Sequence, residues 1–88
     1  MSHFAYMLRC CDGTLYTGTA VDLERRVHSH NHLKSGAKYT RGRRPVELVY
    51  KEACEDLSAA RRREAEIKRM TREEKLRLIA LLEKKSER

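Results

Sequence analysis

Apolar and polar positions alternate in steps of two near the N-terminus and change to helical spacing from Asp22 onward. In FAYMLRCCDGTLYTGTA, Phe4, Tyr6 and Leu8 alternate with other residue types, Asp12-Gly13 supplies a turn, and Leu15 to Ala20 run back. Asp-Gly tolerates the positive φ of a tight turn, so this stretch predicts a β-hairpin. Side chains alternate across a strand, which puts Tyr6 with Leu8 on one face and Tyr16 with Gly18 on one face. Gly18 lacks a side chain and predicts an open spot beside a phenol.

The segment DLERRVHSHNHL reads as a helix capped by Asp22, with Leu23, Arg26, Val27, His30 and Leu33 in one arc and Arg25 opposite. Arg26 and His30 therefore stand on the buried edge of the apolar stripe, where a lone arginine ordinarily snorkels to water. KSGAKYTRGRRP reads as an ordered connection ending at Pro45. Val46 to Ala53 alternates Val46, Leu48 and Tyr50 with Glu47, Val49 and Lys51, as in a third strand with one buried face. A second helix is expected from Leu57 to Met70, capped by Asp56 or Ser58, with Arg62 and Glu66 paired on its solvent side. A third begins at a Thr71/Glu74 capping box and carries Leu76, Ile79 and Leu82, widened by Leu78 and Leu81. This stripe closes the core and is broad enough for a dimer contact, while the tail from Glu83 is expected to fray. The order predicts an α/β fold, a three-stranded antiparallel sheet flanked by about three helices.

Glu64 stands in the middle of the second helix's apolar stripe, beside Leu57, Ala60 and Ile67. A carboxylate in that position needs a cation, a proton or a metal. The residues alone leave open a salt bridge to Lys68 or Arg26 and a metal ion.

At 88 residues the chain is expected to be one domain, residues 1–88. No apolar run is long enough to cross a bilayer and no signal peptide is visible, so a cytoplasmic protein without membrane contact is expected. Cys10, Cys11 and Cys54, an odd count with an adjacent pair, fit a reducing compartment. They match no zinc spacing, although His28 and His32 lie one helical turn apart.

Charge changes the picture because it is segregated. From Arg25 to Val46 there is no Asp or Glu, while Arg25, Arg26, Lys34, Lys38, Arg41, Arg43 and Arg44 are basic. The rest of the chain is balanced, so the whole net charge of +7 falls in this quarter. Such a patch suits a phosphate polyanion, with Tyr39 and two glycines inside it allowing close approach of a strand. Lys34, Lys38, Tyr39, Arg41, Arg43 and Arg44 are the expected nucleic-acid contacts.

In this order the residues resemble the GIY-YIG nuclease superfamily, and above all its small stand-alone bacterial single-domain members. Phe4-Ala5-Tyr6 corresponds to the first half-motif and Tyr16-Thr17-Gly18 to the second. Asp22 to Arg26 with His30 follows, then Lys38 to Pro45, Glu64 and Lys68, so the resemblance spans nearly the whole chain. It implies a metal-dependent phosphodiesterase of endonuclease type acting on nucleic acid, DNA being favoured over RNA. Tyr6 and Tyr16 would line the site, one phenol taking the proton of the attacking water. Arg26 would bind phosphate oxygens, His30 would accept or relay the proton, Gly18 would be the structural glycine at the site, and Glu64 would hold a single Mg²⁺ or Mn²⁺. A free phenol has a pKa of about 10, so a tyrosine base needs a nearby cation, which Arg26 and the metal supply. Phe4, Ala5 and Thr17 depart from the motif's Gly-Ile and Ile, Thr19 stands where repair-type relatives often carry lysine, and the chain's single asparagine is Asn31 rather than one beyond the glutamate. A nucleic-acid-binding module of the same shape with little turnover is the alternative, and an adaptor without nucleic-acid affinity a third. A monomer or weak dimer is expected, with room for a targeting partner protein.

Overall fold

A computed structural model describes residues 3–33 and 38–86. The order is β1 (His3–Arg9), β2 (Leu15–Ala20), α1 (Leu23–His32), α2 (Lys38–Arg41), β3 (Glu47–Cys54), α3 (Leu57–Lys68) and α4 (Arg72–Ser86). The three strands form one antiparallel sheet in the order β2-β1-β3, the α/β arrangement the pattern predicts. The short helix α2 lies where only an ordered connection is read from the sequence. Among the described residues, no helix is long and apolar enough to cross a membrane.

The hairpin forms for the expected reason. Gly13 adopts φ 84°, and the Asp12 carboxylate accepts hydrogen bonds from the Thr14 amide and hydroxyl. Asp22 caps α1 by accepting from the Arg25 amide, Asp56 caps α3 through the Ala59 amide, and Thr71 and Glu74 exchange the two hydrogen bonds of a capping box.

Apolar residues gather on both faces of the central strand, as expected for a sheet covered on both sides. Ala5 and Met7 join Tyr50, Ile67 and Ile79 in the core shared with α3 and α4. Tyr6 and Leu8 join Cys10 and Val46 on the other face, against Leu23 and Val27 of α1. The simple alternation expected for β3 fails at one point. Met7 pairs with Tyr50 but Leu8 pairs with Leu48, so a bulge takes up Val49 and sends Leu48 and Tyr50 to opposite faces. A bulge inserts one residue into one strand only, so a period of two cannot reveal it.

Two other local expectations are corrected. On α3 the pairing cation is Arg63 rather than Arg62, with Glu52 at 3.1 Å and Glu66 at 3.9 Å. On α4 Ile79 is buried and Leu78 and Leu82 are partly so, while Leu76 and Leu81 remain exposed.

The connection into β3 is held by side chains to which the sequence pattern assigns no structural role. The Asn31 side-chain amide donates to the Val46 carbonyl at 3.1 Å and accepts from the Val46 amide at 2.7 Å, clamping the start of β3 to α1. The Arg44 guanidinium donates to the carbonyls of His30, Ser29 and Leu33, satisfying acceptors at the C-terminal end of α1. Arg43 reaches back to the hairpin, its Nε 3.0 Å from Asp12 Oδ2. These staples set α2 over the tyrosine face of the sheet.

Candidate active site

Strand register brings the two tyrosines together. Tyr6 pairs with Gly18 and Leu8 with Tyr16, so all four share one face, and the two phenol rings stand 6.5 Å apart. The spot above Gly18 is not open. It holds the Tyr6 phenol, and a Cβ at Gly18 would lie 2.7 Å from Tyr6 Oη and 2.9 Å from Cζ. The ring cannot swing away cheaply, because it is fully buried and hydrogen-bonded. Gly18→Ala should therefore cost about 1 to 3 kcal/mol of stability, as overpacking does. Urea denaturation checks this, and an unchanged midpoint would show that the phenol has room to move.

His30 projects from α1 into the same space and is fully buried. Its Nε2 is 2.9 Å from Tyr6 Oη and its Nδ1 is 2.8 Å from Thr40 Oγ1 of α2. The ring also meets Tyr16 edge-on at 5.1 Å. Burial, followed by the positive charges of Arg26 and Arg44, lowers its pKa to about 4. His30 is therefore neutral at neutral pH. An unfolded histidine takes up its proton near pH 6.5, so as pH falls from about 6.5 to about 4 the unfolded state binds more protons and stability should decline. Above that window His30 contributes no pH dependence. Comparing urea midpoints across the window for the protein and His30→Gln should show the slope reduced in the variant, and equal slopes would contradict a buried neutral His30.

Arg26 and His30 are four residues apart and reach the tyrosines from the same helix. The Arg26 guanidinium faces Tyr6 and, less strongly, Tyr16, and contact with the Tyr6 hydroxyl oxygen raises its own pKa. Burial raises the Tyr6 pKa against the opposing pull of Arg26, and the Glu64 charge adds to the upward shift. Tyr6 is sealed from solvent, whereas Tyr16 and Arg26 are partly exposed. On its outer side Arg26 borders a hollow of about 260 Å³ lined also by Ala20, Val21, Asp22, Arg25 and Ser29.

Glu64 is half-buried on α3, and Lys68, one turn on, brings Nζ to 3.3 Å from its Oε2. The salt bridge read from the sequence is thus formed with Lys68, whose side chain is 57% exposed. Among the described residues no three His, Cys, Asp or Glu side chains cluster as a closed metal site. The implied Mg²⁺ or Mn²⁺ fits this donor set. Such an ion keeps waters and takes phosphate oxygens beside one or two carboxylates, and the flexible surface lysine can leave.

The basic segment divides into two groups. Arg43 places its guanidinium carbon 4.0 Å from the Tyr39 ring centre and donates to the Tyr39 carbonyl, while Tyr39 stacks on Tyr16 at 5.8 Å. Arg43, Tyr39 and Tyr16 thus form one column leading into the site. Arg44 is engaged on the α1 carbonyls, whereas Arg41 is exposed on α2. Lys34 and the Lys38 side chain lie outside the described residues. Thr40, fully buried against His30, is not among the residues the sequence singles out, since a threonine between basic residues carries no periodic signal.

A three-stranded antiparallel sheet thus brings two tyrosines, an arginine and a histidine together on one face of an α/β domain. The GIY-YIG catalytic domain matches residues 2–77, and the chain belongs to the GIY-YIG family. It is 53% identical over 77 residues to a UPF0213 protein of Syntrophus aciditrophicus, covering 88% of each chain. It is 58% identical over 78 residues to the UPF0213 protein SAV0488 of Staphylococcus aureus, covering 89% of this chain and 94% of that one. Two solution NMR structures are similar. The UPF0213 protein BH0048 of Bacillus halodurans has a TM-score of 0.58 and 43% identity, over 92% of this chain and 85% of that one. Protein EF2693 of E. faecalis has a TM-score of 0.64 and 39% identity, over 94% and 88%.

Proposed function

We propose that the chain is a divalent-metal-dependent endonuclease that hydrolyses phosphodiesters in nucleic acid, DNA rather than RNA, in the cytoplasm. The convergence of Tyr6, Tyr16, Arg26 and His30 on one face carries this reading, with the charge of Glu64 reaching Tyr6. Hydrolysis requires a nucleophilic water, stabilisation of charge on the five-coordinate phosphorus and help for the leaving oxygen.

Arg26 binds non-bridging phosphate oxygens on the tyrosine face, its guanidinium offering several donors in a planar fork. A phenol of the pair accepts the proton of the attacking water, and at Tyr6 the Arg26 guanidinium opposes part of the upward pKa shift that burial causes. Glu64 would hold Mg²⁺ or Mn²⁺, which would supply Lewis-acid stabilisation of the developing negative charge. Tyr39, Arg41 and Arg43, with Lys34 and Lys38, track the strand, while Arg44 chiefly holds α1 and the basic segment together. The protein acts as a monomer or weak dimer, exposed Leu76 and Leu81 offering a modest apolar contact for a second copy or a targeting partner.

A binding module with little turnover is the second reading, favoured by the complete burial of Tyr6 and the Glu64–Lys68 pair. A panel of nicked, branched, single-stranded and RNA substrates separates the two. Cleavage of any member with magnesium or manganese supports the enzyme, and binding without cleavage of every member supports the module. In either case Arg41→Ala should weaken binding alike across sequences and flatten the log–log salt slope by about 0.9 for each duplex phosphate that Arg41 neutralises. Unchanged affinity and slope would show that Arg41 faces only solvent.

A further inference from the structure

We infer that Thr40 is a positioning residue that fixes the His30 tautomer and thereby turns the Tyr6 hydroxyl hydrogen inward, leaving its lone pairs facing the site. This rests on the nuclease reading for its purpose but on the buried hydrogen-bond chain for its substance. Tyr6, His30 and Thr40 are each 0% exposed and are linked in series, Tyr6 Oη to Nε2 at 2.9 Å and Nδ1 to Thr40 Oγ1 at 2.8 Å.

A neutral imidazole carries one N–H and one lone pair, so the chain has only two arrangements. In one, Nε2–H donates to the Tyr6 oxygen, and the phenol's own hydrogen must find another acceptor. The Arg26 guanidinium facing that oxygen has donors only and cannot accept it. In the other, the Tyr6 O–H donates to the Nε2 lone pair, and Nδ1–H donates to Thr40 Oγ1. Only the second satisfies a sealed phenol beside an arginine, and it needs an acceptor at Nδ1. Thr40 supplies that acceptor from α2, which Arg43 and Arg44 staple to the hairpin and to α1.

The arrangement matters because a phenol that receives a proton must present a lone pair outward and have somewhere to send its own hydrogen. A proton arriving from water forms a new O–H bond on Tyr6 as the old O–H bond breaks toward Nε2. The imidazolium so formed keeps Nδ1–H on Thr40 and afterwards returns its proton to Tyr6 as the phenol passes one to a water in the site. With the opposite tautomer, Nε2 has no lone pair and the route is closed.

The test is ¹⁵N NMR of the His30 ring, assigned through its backbone, in the protein and in Thr40→Val and Thr40→Ser. The protein should show a protonated-type signal at Nδ1 and an unprotonated-type signal at Nε2. Valine should reverse or mix the two, and serine, which keeps the hydroxyl, should restore them. Cleavage by the valine variant should fall about 10-fold or more, with serine near the starting rate. An Nε2–H tautomer in the unmodified protein, or in the valine variant an unchanged tautomer or a changed tautomer with undiminished cleavage, would overturn the assignment. If valine prevents folding, the tautomers of the unmodified protein and the serine variant decide. Absence of cleavage by the unmodified protein would defeat the nuclease reading alone, since the tautomer measurement does not depend on turnover.

Discussion

Arg26→Ala should lower cleavage by about 100-fold or more, the usual scale for removing one donor from a developing oxyanion, while the fold persists. α1 keeps Leu23 and Val27 against the sheet, and its N-cap at Asp22 is untouched. Arg26→Lys should also be poor, because an ammonium is a point charge and cannot offer a planar fork to two phosphate oxygens. The change has a second signature free of turnover. Arg26 is the foremost charge holding the His30 pKa down, after burial, so in the alanine variant His30 should titrate above about 4. Cleavage at the starting rate by the lysine variant would mean that Arg26 acts as a general positive charge, with no bidentate role.

Glu64→Gln should abolish cleavage and leave stability nearly unchanged. The partner, Lys68, is largely exposed and one helical turn away, and such pairs contribute about 0.3 to 0.5 kcal/mol. A buried pair would instead lose about 3 to 5 kcal/mol when one member is removed. Because the variant lacks the carboxylate near the phosphates, nucleic-acid binding should persist or tighten. Magnesium or manganese should raise the thermal midpoint of the unmodified protein by mass action and leave that of the variant in place. Loss of several kcal/mol regardless of metal, or undiminished cleavage by the glutamine variant, would assign Glu64 a structural role.

Much of the architecture is legible because its signals are local. Asp12-Gly13, Asp22, Asp56 and the Thr71/Glu74 box fix a turn and three helix starts by chemistry within four residues. The pairing of Tyr6 and Tyr16 on one face follows from a hairpin register that the turn sets. What fails is what depends on distant partners. The Val49 bulge arises from how β3 meets β1 and leaves no mark in the alternation. Charge counting treats the arginines of the basic segment alike. Arg44 nonetheless satisfies helix carbonyls and Arg43 bridges Tyr39 and Asp12. Thr40 and Asn31 likewise acquire their roles only when α1, α2 and β3 meet.

The most direct measurement of the central claim is nicking of end-labelled duplex and branched DNA by the protein, purified away from host nucleases, with magnesium, with manganese and with a chelator. The expected result is strand cleavage that appears with either metal, disappears with the chelator and is missing from Glu64→Gln prepared in parallel. Cleavage that survives the chelator or is equal in the glutamine variant would contradict the account, and so would DNA that is bound yet stays intact under every metal condition.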